Sequence, residues 1–95
     1  MKVFDSIELS QIYEENIFIG DEAIVEITGV VHSDIFVNDN ATLVLRGVCN
    51  GSIDIAENAT AIIYGVSNGT ITNKGELTIH GVVSKLNDLT VRQVL

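Results

Sequence analysis

Apolar and polar positions alternate along most of the chain. From residue 17 to residue 83 the odd-numbered positions are almost all apolar or small, and the even-numbered positions carry most of the polar side chains. A period of two is typical of β-strands, in which successive side chains point to opposite faces. We therefore expect short strands with the odd positions facing inward and the even positions facing outward.

The alternation is organised in a repeat. The dipeptide Gly-Val begins at positions 29, 47, 65 and 81, with spacings of 18, 18 and 16 residues. Equal spacing favours a β-solenoid over a β-sandwich, since a sandwich would explain the alternation but not the period. We predict an all-β fold, a single-stranded parallel β-helix of about four coils with 16–18 residues per coil. Two columns of the repeat are Ala23, Ala41, Ala59 and Ile35, Ile53, Ile71.

Two kinds of position mark the bends of the predicted coil. Polar residues break the inward set once per repeat and indicate corners. Glycines inside the strands indicate bends or a close approach between chains. The corner residues are Asp39, Glu57 and Asn73, and the glycines are Gly47, Gly65 and Gly81.

The repeat divides the chain into an N-terminal cap segment (1–16), the solenoid (17–86) and a C-terminal end segment (87–95). In the first segment, Ser6 could cap a short helix, or the residues from Ile7 to Tyr13 could form an irregular strand. Open solenoid ends must be capped or paired, because they expose unpaired strand edges. The sequence leaves open whether the two end segments cap the solenoid or pair with another chain.

Aligning the coils gives two outward surfaces that are candidates for binding a partner. The first is apolar, and contiguous exposed apolar surface marks interaction sites, although valine is also simply favoured in strands. Its residues are Val44, Arg46, Val48, Ile62, Tyr64, Val66 and His80. The second is acidic, and we expect it either to keep the protein soluble or to dock a basic protein. Its residues are Asp34, Asp54 and Glu57.

Composition narrows the range of partners. Thirteen acidic residues against five basic ones give a net charge of −8, which repels nucleic acid and attracts basic proteins. No apolar run approaches the roughly 18 residues of a membrane span. The first residues, Met-Lys-Val-Phe-Asp, do not resemble a signal peptide, so we expect a cytoplasmic protein without membrane contact.

The sequence offers no recognisable catalytic, cofactor-binding or metal-binding set, and we do not expect an enzyme. His32 and His80 fall in different columns, so they cannot contribute to one stacked metal site. Cys49 occupies an inward position and is expected to be a buried structural thiol.

Three blocks of the repeat, residues 29–35, 47–53 and 65–71, resemble the Gly-Val-X-X-Gly-X-Ile coils of bactofilins. Bactofilins are bacterial cytoskeletal proteins with a right-handed β-helix that polymerise end to end. The resemblance covers about residues 17–86 and implies a right-handed coil and self-association through the solenoid ends. Ser33 and Lys85 depart from it, because each replaces the second glycine of the motif. An inward residue at every sixth position also suits a left-handed hexapeptide coil.

Size, acidity and the lack of a catalytic set are also similar to immunity proteins of bacterial toxin systems. Such proteins bind a cognate toxin domain, often a basic one, and occlude its active site. We therefore carry two hypotheses. The first is a non-catalytic binding protein that neutralises a basic toxin or effector domain, and the alternative is a bactofilin-like polymer.

Overall fold

The computed structural model describes residues 1–20 and 22–88, and these residues form a parallel β-solenoid of about five turns. No helix occurs among them, and so none that could cross a membrane. The predicted fold class is confirmed. In chain order the strands are β1 (Lys2–Val3), β2 (Ile7–Leu9), β3 (Ile12–Tyr13), β4 (Ile17–Ile19), β5 (Ile24–Ile27), β6 (Val30–Val31), β7 (Ile35–Val37), β8 (Thr42–Leu45), β9 (Val48–Cys49), β10 (Ile53–Ile55), β11 (Thr60–Ile63), β12 (Val66–Asn73), β13 (Glu76–Ile79) and β14 (Val82–Asp88).

The strands form two sheets. A five-stranded sheet has the order β13-β11-β8-β5-β2, and a nine-stranded sheet has the order β1-β4-β7-β10-β12-β9-β6-β3, with β14 paired to β12. Every pairing between described strands is parallel. The long strand β12 spans the positions that β9 and β10 occupy in the preceding coil, which joins the two halves of the nine-stranded sheet.

The interior consists of stacked columns of identical or similar residues. Ile17, Ile35, Ile53 and Ile71 are in register on successive coils, and all four are fully buried. Fully burying one such side chain contributes about 1.5–3 kcal/mol. The even repeat length keeps the same side of each strand inward, as the sequence predicts, and the core is therefore one continuous apolar rod.

The N-terminal segment provides an additional turn. Ile7 is in register with Val25, and Ile12 with Val30, so both pairs keep the 18-residue spacing of the later coils. The segment thus forms short strands, as one of the two sequence alternatives states, and not a helix. Leu9 is 5% exposed, which shows that this turn contributes to the core.

The glycines of the Gly-Val pairs lie where successive coils come closest. A Cβ atom on Gly65 would collide with the carbonyl oxygen of Gly47, and one on Gly47 would collide with that of Gly29. The same carbonyls accept hydrogen bonds from the next valine, since Val66 N donates to Gly47 O at 3.0 Å. The glycine column is therefore required by close approach, as predicted.

One expectation about the corners is wrong. Asp39 and Glu57 are exposed at corners, but Asn73 is fully buried. Asn73 is in register with Ile55, an inward residue, because the two-residue shortening of the repeat falls after it. Its side-chain oxygen accepts a hydrogen bond from Gly75 N at 3.0 Å, which satisfies the buried amide at the shortened corner.

The C-terminal part of the chain extends the last coil. Asn87 and Asp88 belong to β14 and pair with Thr72 and Asn73. Residues 89–95, the remainder of the predicted end segment, lie outside the described residues.

Candidate protein-binding surfaces

The predicted apolar patch crosses a bend of the solenoid. Val44 and Ile62 lie on β8 and β11 in the five-stranded sheet, whereas Val48 and Val66 begin β9 and β12 in the nine-stranded sheet. The residues of the predicted apolar surface therefore do not lie on a single strand face but are divided between the two sheets. In each coil the chain turns from one sheet to the other at the glycine of the Gly-Val pair, which in this coil is Gly47.

Four side chains on successive coils form a stack at this bend, which we call the bend ladder: Glu26, Arg46, Tyr64 and His80. Arg46 Nε donates a short hydrogen bond to Glu26, and its guanidinium carbon lies 4.5 Å from the centre of the Tyr64 ring. The Tyr64 and His80 rings are stacked with centroids 5.1 Å apart. Charge pairing and ring contacts thus order a row of large side chains, although each is partly or largely exposed.

Beside the bend ladder runs a column of outward valines, which we call the valine column: Val30, Val48, Val66 and Val82. The first three are half-buried, and Val82 is 61% exposed. Ile12 is in register with Val30, so it extends the column to the first turn, and it is 66% exposed. The bend ladder and the valine column together form a ridge of apolar and aromatic surface along the solenoid.

The second surface contains an aromatic stack that the sequence reasoning missed. Phe18 and Phe36 are in register, and their rings are parallel within 8° with centroids 4.8 Å apart. The signal was present, because the two residues are one 18-residue repeat apart. Asp54 and then Thr72 continue this column on the next coils.

A concavity of about 270 Å³ opens next to this stack, and we call it the Phe36 slot. It lies between the outward column of Phe36, Asp54 and Thr72 and the corner column of Asn38, Ala56 and Lys74. Its lining residues are Phe36, Val37, Asn38, Asp54, Ile55, Ala56, Thr72 and Lys74.

The three acidic candidates have different surroundings. Asp34 accepts a hydrogen bond from Ser52 N at 2.8 Å, and its own N–H donates to the Asn16 side chain at 3.0 Å. Its carboxylate therefore joins successive coils. Asp54 is exposed and lines the Phe36 slot, and Glu57 is exposed at a corner.

No family model matches the chain, and no match was found among curated proteins or solved structures. The functional proposal therefore depends on the surfaces of the solenoid.

Cys49 and Ser67 are the chemically distinctive groups of the interior. The pKa of the Cys49 thiol is raised from its ordinary value of 9.0 to about 11, chiefly by burial. A hydrogen bond with the Gly51 backbone opposes this rise, and the nearby Asp34 carboxylate adds a smaller contribution to it. The thiol is thus protonated and unreactive at neutral pH. Among the described residues, no group of three His, Cys, Asp or Glu side chains could hold a metal ion.

Proposed function

We propose that this chain is an acidic, cytoplasmic, non-catalytic protein-binding module that binds a basic toxin or effector domain and occludes its active site. The observation that carries this proposal is the ridge formed by the bend ladder and the valine column. The net charge of −8 supports a basic partner.

The ridge has the composition of a binding surface. Tyr64 is 45% exposed and Arg46 is half-exposed, and tyrosine and arginine are among the residue types that most often dominate binding energy. Their stacking holds the side chains in place before binding, which lowers the entropy lost on association. The flanking valines supply apolar area around them.

The test uses the protein encoded by the gene next to that of this chain, produced as a purified domain. We expect the two proteins to form a complex that elutes as one species in gel filtration, and the chain to abolish the toxicity of that domain in growing cells. Val66→Glu places a charge in the valine column and should weaken the complex by at least about tenfold.

Thr70→Glu is the matched control. Thr70 is also β-branched and lies on β12, but it is in register with Lys85 and away from the valine column. It should leave the affinity unchanged. Equal affinity of the wild-type chain and Val66→Glu would exclude the ridge as the binding surface.

A bactofilin-like polymer is the second candidate, and the last described coil favours it. Its apolar residues remain accessible, since Ile79 is 39%, Val82 61% and Leu86 46% exposed. Within the described residues, β13 and β14 each pair with an earlier strand on one side only. Such an edge can pair with another chain.

Electron microscopy and sedimentation of the purified chain separate the two candidates. Fibres that persist in high salt and disappear in Leu86→Lys would support the polymer and contradict the binding module. A monomer or small oligomer at high concentration would do the opposite. Leu89 and Val91, whose replacement by charged residues is also expected to block assembly, lie outside the described residues.

A further inference from the structure

We propose that the Phe36 slot binds the guanidinium group of an arginine side chain on a protein partner. This inference rests on the proposed function in so far as the arginine belongs to a basic protein. It concerns a different surface from the ridge, and it can be tested without the partner.

One face of the Phe36 ring is available. Its centroid lies 4.8 Å from that of Phe18, which equals the spacing of about 4.8 Å between neighbouring coils. The planes of the two rings therefore lie across the solenoid axis, with Phe18 covering one face of Phe36. The other face is directed towards the next coil, where the register partner is Asp54, a smaller and non-aromatic residue. The aromatic stack ends there, and the slot begins.

The slot presents two groups that a guanidinium prefers. A planar cation binds to the face of an aromatic ring within about 6 Å of its centroid. A carboxylate can accept two parallel N–H bonds from the same guanidinium. Phe36 and Asp54 supply the ring and the carboxylate on neighbouring coils, and both line the slot.

The bend ladder shows that one guanidinium can contact a carboxylate and an aromatic ring at the same time on the surface of this solenoid. There the Arg46 guanidinium bonds to the Glu26 carboxylate and lies over the Tyr64 ring at 4.5 Å. There the arginine lies on the coil between the carboxylate and the ring, whereas in the Phe36 slot the carboxylate and the ring lie on neighbouring coils, so the arginine must come from outside the chain. None of the ion pairs among the described residues involves Asp54. An external arginine would make in the slot the same two kinds of contact, with a carboxylate and with an aromatic ring, that Arg46 makes within the chain.

Lys74 is the feature of the slot that opposes a cation. It lies at the corner of the following coil and lines the same concavity. Its positive charge should weaken the binding of an arginine and would strengthen the binding of an anion. Replacing Lys74 therefore distinguishes the two ligand types by the sign of the effect.

The experiment is a titration followed by two-dimensional NMR, with N-acetyl-L-arginine methylamide as the probe. The reporters are the amides of Asn38, Ala56 and Lys74, which are held in place because they donate to carbonyls of the preceding coil at 2.8–2.9 Å. We expect saturable shifts at these amides with a millimolar dissociation constant. The citrulline analogue has the same shape without the charge, and it should bind at least about tenfold more weakly.

Three variants and one control test the residues. Asp54→Asn should weaken binding by about tenfold, and Phe36→Leu by about threefold. Lys74→Gln should strengthen it by about twofold. Asp5→Asn removes an exposed carboxylate elsewhere and should change nothing. Circular dichroism of each variant checks that the fold is retained.

The inference is overturned if the arginine probe gives no saturable shift, if citrulline binds equally well, or if Lys74→Gln weakens binding. Its failure is distinct from that of the proposed function. A complex that depends on Val66 but not on Asp54 would retain the module and discard the slot, whereas specific arginine binding without a complex would retain the slot alone.

Discussion

The inward and outward sides of the same strands follow different rules, although both are stacked at the same spacing. On the inward side, Ile35, Ile53 and Ile71 repeat one residue type, and all are fully buried. On the outward side of the same strands, Phe36 is followed by Asp54 and then Thr72. Close packing restricts each inward position to side chains of similar size and shape, whereas an outward position can hold a different residue type on every coil. We therefore expect functional specificity to reside in the outward residues that differ between coils.

The largest loss of stability should come from a substitution that separates two stacked coils, because the inward and the outward columns both depend on this stacking. Gly65→Ala places a Cβ atom against the carbonyl oxygen of Gly47, so the two coils must separate. We expect a loss of about 4 kcal/mol or more in the free energy of unfolding, measured by urea denaturation.

Gly20→Ala is the control for this substitution. A Cβ atom there would lie 3.3 Å from the Phe4 ring, which is 52% exposed and can move aside. Its cost should stay below about 1 kcal/mol. Equal losses in the two variants would show that close approach is not what selects glycine at position 65.

The second prediction compares neighbouring residues on β10. Ile53→Ala removes a fully buried side chain and should cost about 3 kcal/mol. Asp54→Ala removes an exposed side chain and should change stability by less than about 0.5 kcal/mol. The same denaturation measurement checks both. A large loss in Asp54→Ala would mean that the outward column is structural, and it would count against its use as a binding site.

The third prediction concerns Ser67, a polar residue at an inward position, where most residues are apolar. Ser67 is fully buried in register with Cys49, and among the described residues its hydroxyl is the buried side-chain polar atom without a hydrogen-bond partner. Because an unpaired buried hydroxyl is destabilising, Ser67→Ala should raise the free energy of unfolding by about 1 kcal/mol. A loss of stability would instead indicate that the hydroxyl has a partner.

The fourth prediction concerns Cys49, for which we expect the smallest effect at neutral pH. Its ionisation changes the free energy of unfolding only at alkaline pH. The folded state raises the pKa of the thiol from 9.0 to about 11, so folding favours the protonated form. This contribution to stability is complete below pH 9 and is lost as the pH rises towards 11. Unfolding free energies measured between these pH values should fall more steeply for the wild type than for Cys49→Ala. Parallel pH profiles would contradict the prediction.

The sequence predicts the stacked interior well, because alternation and an even period are properties of the chain itself. It failed where the period changes. Asn73 was assigned to a corner because the repeat places the two-residue deletion near residues 73–75, and only the register with Ile55 shows that Asn73 precedes the deletion and faces inward. The first turn was missed because Gln11 stands where later coils have glycine. The handedness of the coil stays a prediction.

For the candidate surfaces, the sequence predicted which outward residues follow one another in a column, but not the three-dimensional shape of the surface that the columns form. The order Arg46, Tyr64, His80 follows from the period, whereas the bend that separates Val44 from Val48 depends on where the backbone turns. The Phe36 slot could not be predicted from spacing alone. It depends on the orientation of the Phe36 ring, which the stacking with Phe18 determines.

The shortened corner after Asn73 also bears on how such a chain can evolve. Its two missing residues leave the pairing of β11 with β13 intact, with Thr60 opposite Glu76 and Ile63 opposite Ile79. A deletion of one residue would instead turn every later strand inside out. Insertions and deletions should therefore survive selection in steps of two residues at a corner, or as whole coils. Related chains with this fold should therefore differ in length by these steps, and a new outward surface can arise by duplication of one 18-residue unit.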